Sequence, residues 1–260
     1  MSRKSAPSPD YGNWVSVRLL MAAGGLGLLL LGLSFLSPFS ILSWFLLVGA
    51  VLCFAFLAYL AYARHLFSPR GRDIQAKILA LIISRLDWDG KGRALDIGCG
   101  NGALVIELAQ KYPQAQVTGL DYWGGLWGYS QETCQANARI EGVADRVVFQ
   151  KGSAAALPFP DETFDLAVSN FVFHNVKGVS DKREIIREAL RVVRPGGRFV
   201  FQDLFLVKQF YGRVDELLAT VESFGVREVE FVNTTDSPFI PRLLKLPFMV
   251  GAIGIIHGTK

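Results

Sequence analysis

The stretch LDIGCGNG, residues 95–102, decides the fold of this chain. It follows an apolar residue and precedes a run, residues 103–109, with the composition of a helix. The order is therefore a strand, a tight glycine turn and a helix start. Glycine permits positive φ and lets a ligand approach the backbone without a Cβ in between. The helix start adds free N–H groups and a partial positive charge. Together they predict a cradle for a polar ligand group at the carboxyl end of a parallel strand.

The residue types in this cradle allow different interpretations of its ligand. Gly98, Gly100 and Ala103 satisfy the dinucleotide fingerprint G-x-G-x-x-G/A, and the acidic Asp121 follows about 20 residues later. In the second interpretation the carboxylate of Asp96 belongs to the ligand loop, where it suits a cationic amine and repels a pyrophosphate. S-adenosylmethionine carries an amine and a sulfonium, so the charge favours it over NAD. The third alternative, a glycine turn without a ligand, is disfavoured because closely spaced glycines are entropically costly.

Four segments in a fixed order carry a resemblance to a known family. They are LDIGCGNG (95–102), VTGLDYW (117–123), GSAAALPFPDETFDLAVSN (152–170) and LRVVRPGGRFVFQDL (190–204). Through them, residues 70–260 resemble the class I S-adenosylmethionine-dependent methyltransferases, in particular the subgroup that includes the ubiquinone and menaquinone methyltransferases. The resemblance implies an α/β fold with a doubly wound, seven-stranded, mostly parallel, Rossmann-like sheet. It also implies S-adenosyl-L-methionine as the cofactor.

The residues expected to hold the cofactor lie at the ends of successive strands. The cradle itself consists of Asp96, Gly98, Cys99, Gly100 and Gly102. Asp121 ends the second strand, where a carboxylate in a doubly wound sheet accepts hydrogen bonds from ribose hydroxyls. The adjacent Tyr122 and Trp123 are expected to flank the adenine.

After the third strand the chain departs from the commoner family pattern. Ser153 stands where many members have Asp or Glu, whose carboxylate takes the adenine amino group. A serine hydroxyl accepts only a neutral hydrogen bond. The resemblance therefore leaves the backbone groups of Ser153 and Ala154 as expected contacts. After the fourth strand it places Asn170 close to the cofactor.

Two residues are candidates for the chemistry. His174 follows the fourth strand, and histidine is a residue type whose ordinary pKa suits a general base near neutrality. A structural histidine, hydrogen-bonded at a helix start, is the alternative. Asp203 ends the fifth strand and is expected to reach the same site. We expect no metal, because the three cysteines, at positions 53, 99 and 134, lack zinc-site spacing.

The composition is apolar for a soluble enzyme. Of 260 residues, 51% are hydrophobic and 19% charged, and the excess lies in the first quarter. The net charge of +4 comes from scattered basic residues without a Lys/Arg run, so we expect no nucleic-acid partner.

Residues 19–63 contain no Asp, Glu, Lys, Arg or His. The run divides near residues 37–40 into segments 19–36 and 41–63, which as helices would measure roughly 27 and 34 Å. Both fit a hydrocarbon core of about 30 Å, so we predict a transmembrane helical hairpin in contact with membrane lipid. A signal peptide is shorter, and a soluble hairpin is the other alternative. Four glycines of the first segment let the helices approach closely or equally mediate dimerisation: Gly24, Gly25, Gly27 and Gly32.

Basic residues on both flanks of the hairpin predict its orientation. An even number of spans puts both flanks on one side, which the positive-inside rule makes cytoplasmic. We therefore expect a two-pass membrane protein with its N-terminus and catalytic domain in the cytoplasm. The predicted divisions are a flexible arm (1–18), the hairpin (19–63), a connector with a helix (64–92) and the cofactor-binding domain (93–260).

The segment at residues 239–249 is apolar with two cations. In a soluble protein it is expected to be buried or to form a lid, and beside a membrane to contact lipid or admit an apolar substrate. The sequence thus predicts a membrane-anchored methyltransferase with a small, lipophilic methyl acceptor. The alternatives are a non-catalytic membrane protein that binds S-adenosylmethionine and an NAD(P)-dependent oxidoreductase.

Overall fold

The computed structural model describes residues 7–36, 40–124 and 128–260. The chain divides into two compact units. The hairpin unit comprises residues 12–76 and 125–128, and the sheet unit comprises residues 1–11, 77–124 and 129–260.

Two long helices dominate the hairpin unit: α1 (Val17–Leu36) and α2 (Ile41–Phe67). α1 begins slightly before the predicted segment, and α2 runs on past its predicted end into a polar last turn with Arg64 and His65. Ser40 caps α2, since its side chain accepts a hydrogen bond from the N–H of Ser43. The predicted break between the helices lies largely outside the described residues.

The glycines of α1 divide between two surfaces. A Cβ on Gly27 would lie 3.0 Å from the ring of Phe54, and one on Gly24 would lie 3.4 Å from a side chain of α2. These two positions therefore allow the close approach of the helices. Gly25 and Gly32 have nothing within 4 Å of a built Cβ and face away from that contact.

The sheet unit is built on seven strands in the order β3-β2-β1-β4-β5-β7-β6. The strands β1 to β5 are parallel, and β7 runs antiparallel to β5 and β6. This confirms the predicted α/β, mostly parallel sheet. The strands are β1 (Gly92–Ile97), β2 (Ala115–Asp121), β3 (Val147–Lys151), β4 (Phe164–Asn170), β5 (Val193–Asp203), β6 (Glu228–Asn233) and β7 (Gly254–Thr259).

Helices cover both faces of this sheet, as a doubly wound fold requires. The remaining helices are α3 (Ile74–Ser84), α4 (Ala103–Lys111), α5 (Gln131–Ile140), α6 (Arg183–Arg191), α7 (Lys208–Tyr211) and α8 (Val214–Ser223). Leu95 and Leu120 face a buried apolar cluster that includes residues of α6 and α8. On the opposite face, a Cβ on Gly119 would meet Val105 of α4 at 2.8 Å.

The strand order reverses at β1, which lies between β2 and β4. Ligands of open α/β sheets bind in the crevice beyond the carboxyl ends of the strands at such a reversal. The loops after β1, β2, β3, β4 and β5 all end at this edge. The predicted site residues lie in these loops or within the last two residues of the strands before them.

Strand β5 differs most from its prediction. The sequence predicts a turn at residues 194–197 and a strand from residue 198, but β5 already begins at Val193. Its pairing with β4 jumps, because Phe164 lies opposite Val193 whereas Leu166 lies opposite Arg198. The residues between them form a bulge within the strand.

The predicted flexible arm also needs correction. Residues 1–6 lie outside the described residues, but Asp10 and Tyr11 hydrogen-bond to Asn101, Asn137 and Glu141 of the sheet unit. The arm was predicted to be flexible because it is polar and rich in proline. Buried side-chain amides bind the backbone of Asp10, and the hydroxyl of Tyr11 donates to Glu141.

Candidate functional site

The glycine loop after β1 has the backbone conformation that its sequence demands. Gly98, Gly100 and Gly102 have φ values of 78°, 57° and 83°, a region that other residues rarely adopt. A Cβ at Gly98 would lie only 2.1 Å from a methyl carbon of Val172 in the loop after β4. The thiol of Cys99 is buried, and burial raises its pKa. A contact between its backbone and the cofactor stays a prediction.

Asp96 lies in β1 directly before this loop and is buried, with 2% of its surface exposed. Burial, and then the charge of Asp121, raise the pKa of the Asp96 carboxyl well above its ordinary value. A buried anion beside a second carboxylate is costly unless a cation compensates it. The site therefore suits a ligand with a positively charged group and disfavours a pyrophosphate, as the sequence argument predicts.

Asp121 ends β2 and closes the glycine loop from the other side. One carboxylate oxygen accepts from the N–H of Gly100 at 2.8 Å, and the other accepts from the N–H of Trp123 at 2.7 Å. Burial raises the pKa of Asp121, and these backbone hydrogen bonds oppose the shift. A carboxylate offers about four acceptor positions. Tyr122 also offers its backbone N–H to this carboxylate, so Asp121 retains acceptor capacity beyond its backbone hydrogen bonds.

Of the two aromatic residues after Asp121, Trp123 contacts the loop. Its indole N–H donates to the carbonyl of Gly100 at 2.9 Å, and its φ of 45° turns the side chain towards the loop. Tyr122 is 70% exposed, with Lys151 as a cation–π neighbour. The structure thus brings Trp123 against the glycine loop, and contact of either aromatic residue with the adenine stays a prediction.

Sequence reasoning did not single out Tyr129, whose ring lies 3.4 Å from a Cβ built on Gly100. Burial, then the charges of Asp121 and Asp10, raise its pKa to about 12, so its hydroxyl is a donor at neutral pH. No motif marks this tyrosine, because it reaches the loop from a separate segment.

The turn after β3 joins the same edge. The N–H of Gly152 donates to the backbone carbonyl of Asp121 at 2.9 Å. The hydroxyl of Ser153 accepts from the N–H of Ala155 at 3.2 Å, and Ala154 is buried. Ser153 and Ala154 therefore lie near Asp121, and their contact with adenine stays a prediction.

The end of β4 holds Asn170 in a fixed orientation. Its side-chain oxygen accepts from the side-chain amide of Gln202 at 2.7 Å, and Gln202 in turn accepts from Thr234. Phe171, the next residue, has a φ of 59°. Such a conformation is strained for a bulky residue and is concentrated at functional sites.

His174 and Asp203 form a hydrogen-bonded pair across the ends of β4 and β5. The Nδ1 atom of His174 lies 2.6 Å from one oxygen of Asp203. The other oxygen accepts from the N–H of Phe173 at 2.8 Å. A carboxylate accepts hydrogen bonds, so the tautomer assigned to this contact donates from Nδ1 to Asp203 and has its lone pair at Nε2. The pair is therefore arranged for proton acceptance at Nε2.

Asp203, which was predicted to be catalytic, has no exposed surface. Its carboxylate contacts His174, as a positioning residue would, and also accepts from the backbone N–H groups of Phe173 and Leu204. Its catalytic role stays a prediction. The His174 ring lies beside two aromatic rings, with centroid distances of 6.3 Å to Phe171 and 6.2 Å to Phe210. Tyr211 is also buried nearby, and burial followed by the Asp203 charge raises its pKa.

Across residues 7–36, 40–124 and 128–260, no cluster of three or more His, Cys, Asp or Glu side chains is arranged to hold a metal ion. The sheet, the glycine loop and the carboxylate at the end of β2 define a Rossmann-like protein for a nucleoside cofactor.

Comparison with known proteins identifies the family. A family described as "Methyltransferase domain" matches residues 95–201. The ubiquinone/menaquinone biosynthesis C-methyltransferase UbiE of Desulfotalea psychrophila is 30% identical over 203 residues, which cover 69% of this chain and 78% of that protein. The chain belongs to the class I S-adenosylmethionine-dependent methyltransferases. The predicted family is thereby confirmed, with S-adenosylmethionine as the cofactor of its class.

Other similarities are narrower. The 27-O-demethylrifamycin SV methyltransferase of Amycolatopsis mediterranei is 38% identical over 115 residues, 44% of this chain and 39% of that protein. The chain spans between 39% and 48% of the length of the first three curated relatives that it matches. The geranyl diphosphate C-methyltransferase of Streptomyces coelicolor has a similar fold, with a TM-score of 0.54, 16% identity and coverage of 72% of this chain and 80% of that one.

Proposed function

We propose that this chain is a membrane-anchored, S-adenosylmethionine-dependent methyltransferase that methylates a small, lipophilic acceptor. The observation that carries the proposal is the presence of the His174–Asp203 pair at the same sheet edge as the glycine loop and Asp121. One part of this edge has groups suited to a cationic nucleoside. The other part has a group able to accept a proton.

The residues proposed to hold the cofactor have complementary charge. Asp96 would attract the ammonium group, and this attraction compensates its buried negative charge. Asp121 would accept the ribose hydroxyls with its spare acceptor positions. When bound, S-adenosylmethionine supplies an electrophilic methyl group on a sulfonium. The task left to the chain is orientation, which contributes up to about 7–11 kcal/mol in well-aligned reactions.

His174 is proposed as the general base. Its Nε2 lone pair would accept the proton of an acceptor hydroxyl or acidic carbon, and Asp203 would stabilise the imidazolium that forms. Phe171 and Phe210 flank the ring and favour an apolar acceptor. Relatives are named for ubiquinone/menaquinone biosynthesis and for 27-O-demethylrifamycin SV, which supports a small-molecule acceptor.

The membrane anchor rests on α1 and α2. Both are long and apolar enough to span a hydrocarbon core, and only 17% and 6% of their apolar windows are buried. A core helix of a soluble protein would be mostly buried. In the segment at 239–249, Leu243 and Phe248 are exposed; Leu243 is adjacent to Arg242, and Phe248 lies three residues after Lys245. This composition suits the surface of the same membrane, on the cytoplasmic side that the basic flanks predict.

Ligand binding by the full-length chain in detergent tests the cofactor. We expect isothermal titration with S-adenosylhomocysteine to give saturable binding and titration with NAD to give none. Saturable binding of NAD, without binding of S-adenosylhomocysteine, would contradict the proposal and favour an oxidoreductase.

Fractionation tests the anchor and the acceptor. After a wash with alkaline carbonate, the full-length chain should stay in the membrane pellet. Incubating the washed membranes with S-adenosylmethionine carrying a labelled methyl group should then move the label into the lipid extract. A chain released by carbonate would refute the anchor. Label found solely in the aqueous phase would refute a lipophilic acceptor. Cross-linking within the membrane tests the predicted homo-oligomer.

A further inference from the structure

Buried side-chain amides bind the backbone of the N-terminal arm, and Asn137 makes two of these hydrogen bonds. The Oδ1 atom of Asn137 accepts from the N–H of Asp10, and its Nδ2 atom donates to the carbonyl of Asp10, both at 2.8 Å. Asn137 belongs to α5 and is 2% exposed. It therefore binds both backbone groups of one residue 127 positions away in sequence.

The same amide also binds the glycine loop. Nδ2 of Asn137 donates to the carbonyl of Asn101 at 3.0 Å, and Asn101 lies between Gly100 and Gly102. The Asn101 side chain donates to the carbonyl of Asp10 at 3.1 Å and accepts from the N–H of Ser130 at 3.2 Å. The arm, the glycine loop and the start of α5 thus share one buried hydrogen-bond network.

A second contact fixes the arm one residue later. The hydroxyl of Tyr11 donates to Glu141 at 3.3 Å, and the other oxygen of Glu141 accepts from Gln110 at 2.8 Å. Burial, and then the charge of Glu141, raise the pKa of Tyr11, so its hydroxyl stays protonated as a donor. Beyond Tyr11 the chain continues directly into the segment that contains α1.

We propose that Asn101 and Asn137 form a backbone clamp for the arm, and that the docked arm is needed to hold the glycine loop in its binding conformation. If the arm left, the buried amide of Asn137 would lose its two hydrogen bonds to Asp10, which would leave buried polar groups unsatisfied. The loop would then relax to recover hydrogen bonds. Asn137 is thus a positioning residue for the cofactor loop. The effect on cofactor binding rests on the proposed function, whereas the effect on the loop does not.

Asp10→Pro in the full-length chain tests the clamp, because proline removes the N–H that Asn137 accepts. The matched control is Ser8→Pro, at an exposed position of the same arm. Hydrogen–deuterium exchange of residues 98–102 is measured without ligand, and S-adenosylhomocysteine affinity by titration. We expect Asp10→Pro to raise the exchange rate and the Kd about fivefold each, as for loss of one buried hydrogen bond. Ser8→Pro should change neither.

A mutant cycle separates the clamp from a general loss of stability. In an Asn137→Ala background, Asp10→Pro should have no further effect on exchange, because the two changes remove the same contact. Additive effects, or unchanged exchange in Asp10→Pro, would overturn the proposal. Should the wild-type chain fail to bind S-adenosylhomocysteine, the proposed function falls, while the exchange measurement still decides on the clamp.

Discussion

Asp121 and Asp203 occupy comparable positions, at the carboxyl ends of β2 and β5, and both accept hydrogen bonds from nearby backbone N–H groups. They differ in depth. Asp121 is half-buried and retains acceptor capacity, whereas Asp203 has no exposed surface and uses one oxygen to orient His174. The same residue type at the same kind of strand end is thus proposed to bind a ligand on one side and to position a neighbour on the other. We propose that depth in the crevice separates the two roles.

The largest expected effect concerns the cofactor side. Asp96→Ala removes the buried charge that selects a cationic ligand, so the Kd for S-adenosylhomocysteine should rise at least about a hundredfold. Titration calorimetry measures it. The control is Asp145→Asn, since the Asp145 side chain is 75% exposed. An unchanged Kd in Asp96→Ala would refute the assignment of the glycine loop as a cofactor site.

At the His174–Asp203 pair, His174→Gln should lower kcat by about a hundredfold, because a general base typically contributes 10²–10⁴-fold. The affinity for S-adenosylhomocysteine should stay unchanged, because His174 is not among the residues proposed to hold the cofactor. Initial rates with a membrane extract as the acceptor measure kcat. A loss of cofactor affinity of the same size would mean that the two sides are not separate. A normal kcat would leave His174 a structural residue.

Asp203→Asn should reduce kcat by roughly tenfold to a hundredfold without changing the KM for S-adenosylmethionine, because the amide no longer fixes Nδ1 as the donor. Nitrogen NMR of the imidazole supplies a readout that a merely structural role would not move. It should report a change in which ring nitrogen is protonated. A wild-type spectrum together with a reduced kcat would contradict the positioning role.

A smaller effect distinguishes the two aromatic residues beside Asp121. Trp123→Phe removes the hydrogen bond to Gly100 and should weaken S-adenosylhomocysteine binding about fivefold. Tyr122→Phe, at the exposed neighbour, serves as the control and should stay within about twofold. Equal effects at both positions would restore Tyr122 as a contact of the cofactor.

The smallest effect is on stability. Since burial raises the pKa of Asp96, the folded state binds its proton more tightly than the unfolded state does. Its contribution to stability is therefore full below pH 4 and lost as the pH rises towards the raised pKa. Between about pH 5 and 8, the Tm of the ligand-free Asp96→Asn variant should fall by a few degrees less than the Tm of the wild-type chain. Parallel Tm profiles of the two proteins would contradict this.

Local features of the site could be predicted from the sequence, whereas its long-range contacts could not. The glycine loop and the strand ends at Asp121 and Asn170 follow from short motifs, because a strand, a turn and a helix start are encoded within a few residues. The depth of Asp203 depends on β7, which pairs with β5 and follows it by some fifty residues. No motif reports that pairing.

Other contacts could not be predicted for comparable reasons. The sequence places Trp123 beside Asp121 but does not predict its hydrogen bond to Gly100, because no propensity predicts a positive φ for tryptophan. The arm was predicted to be flexible because nothing in its own sequence indicates that Asn137 binds its backbone. The bulge in β5 was predicted as a turn because proline and two glycines are typical of both.

The contact between Gly98 and Val172 also has a kinetic consequence. Since no Cβ fits between the glycine loop and the loop after β4, neither loop can move towards the other without displacing it. Cofactor bound at the glycine loop should therefore fix the position of the loop after β4, where the methyl acceptor is proposed to bind. This favours ordered over random addition of the two substrates. In steady-state assays, S-adenosylhomocysteine should compete with the methyl donor and inhibit noncompetitively towards the acceptor.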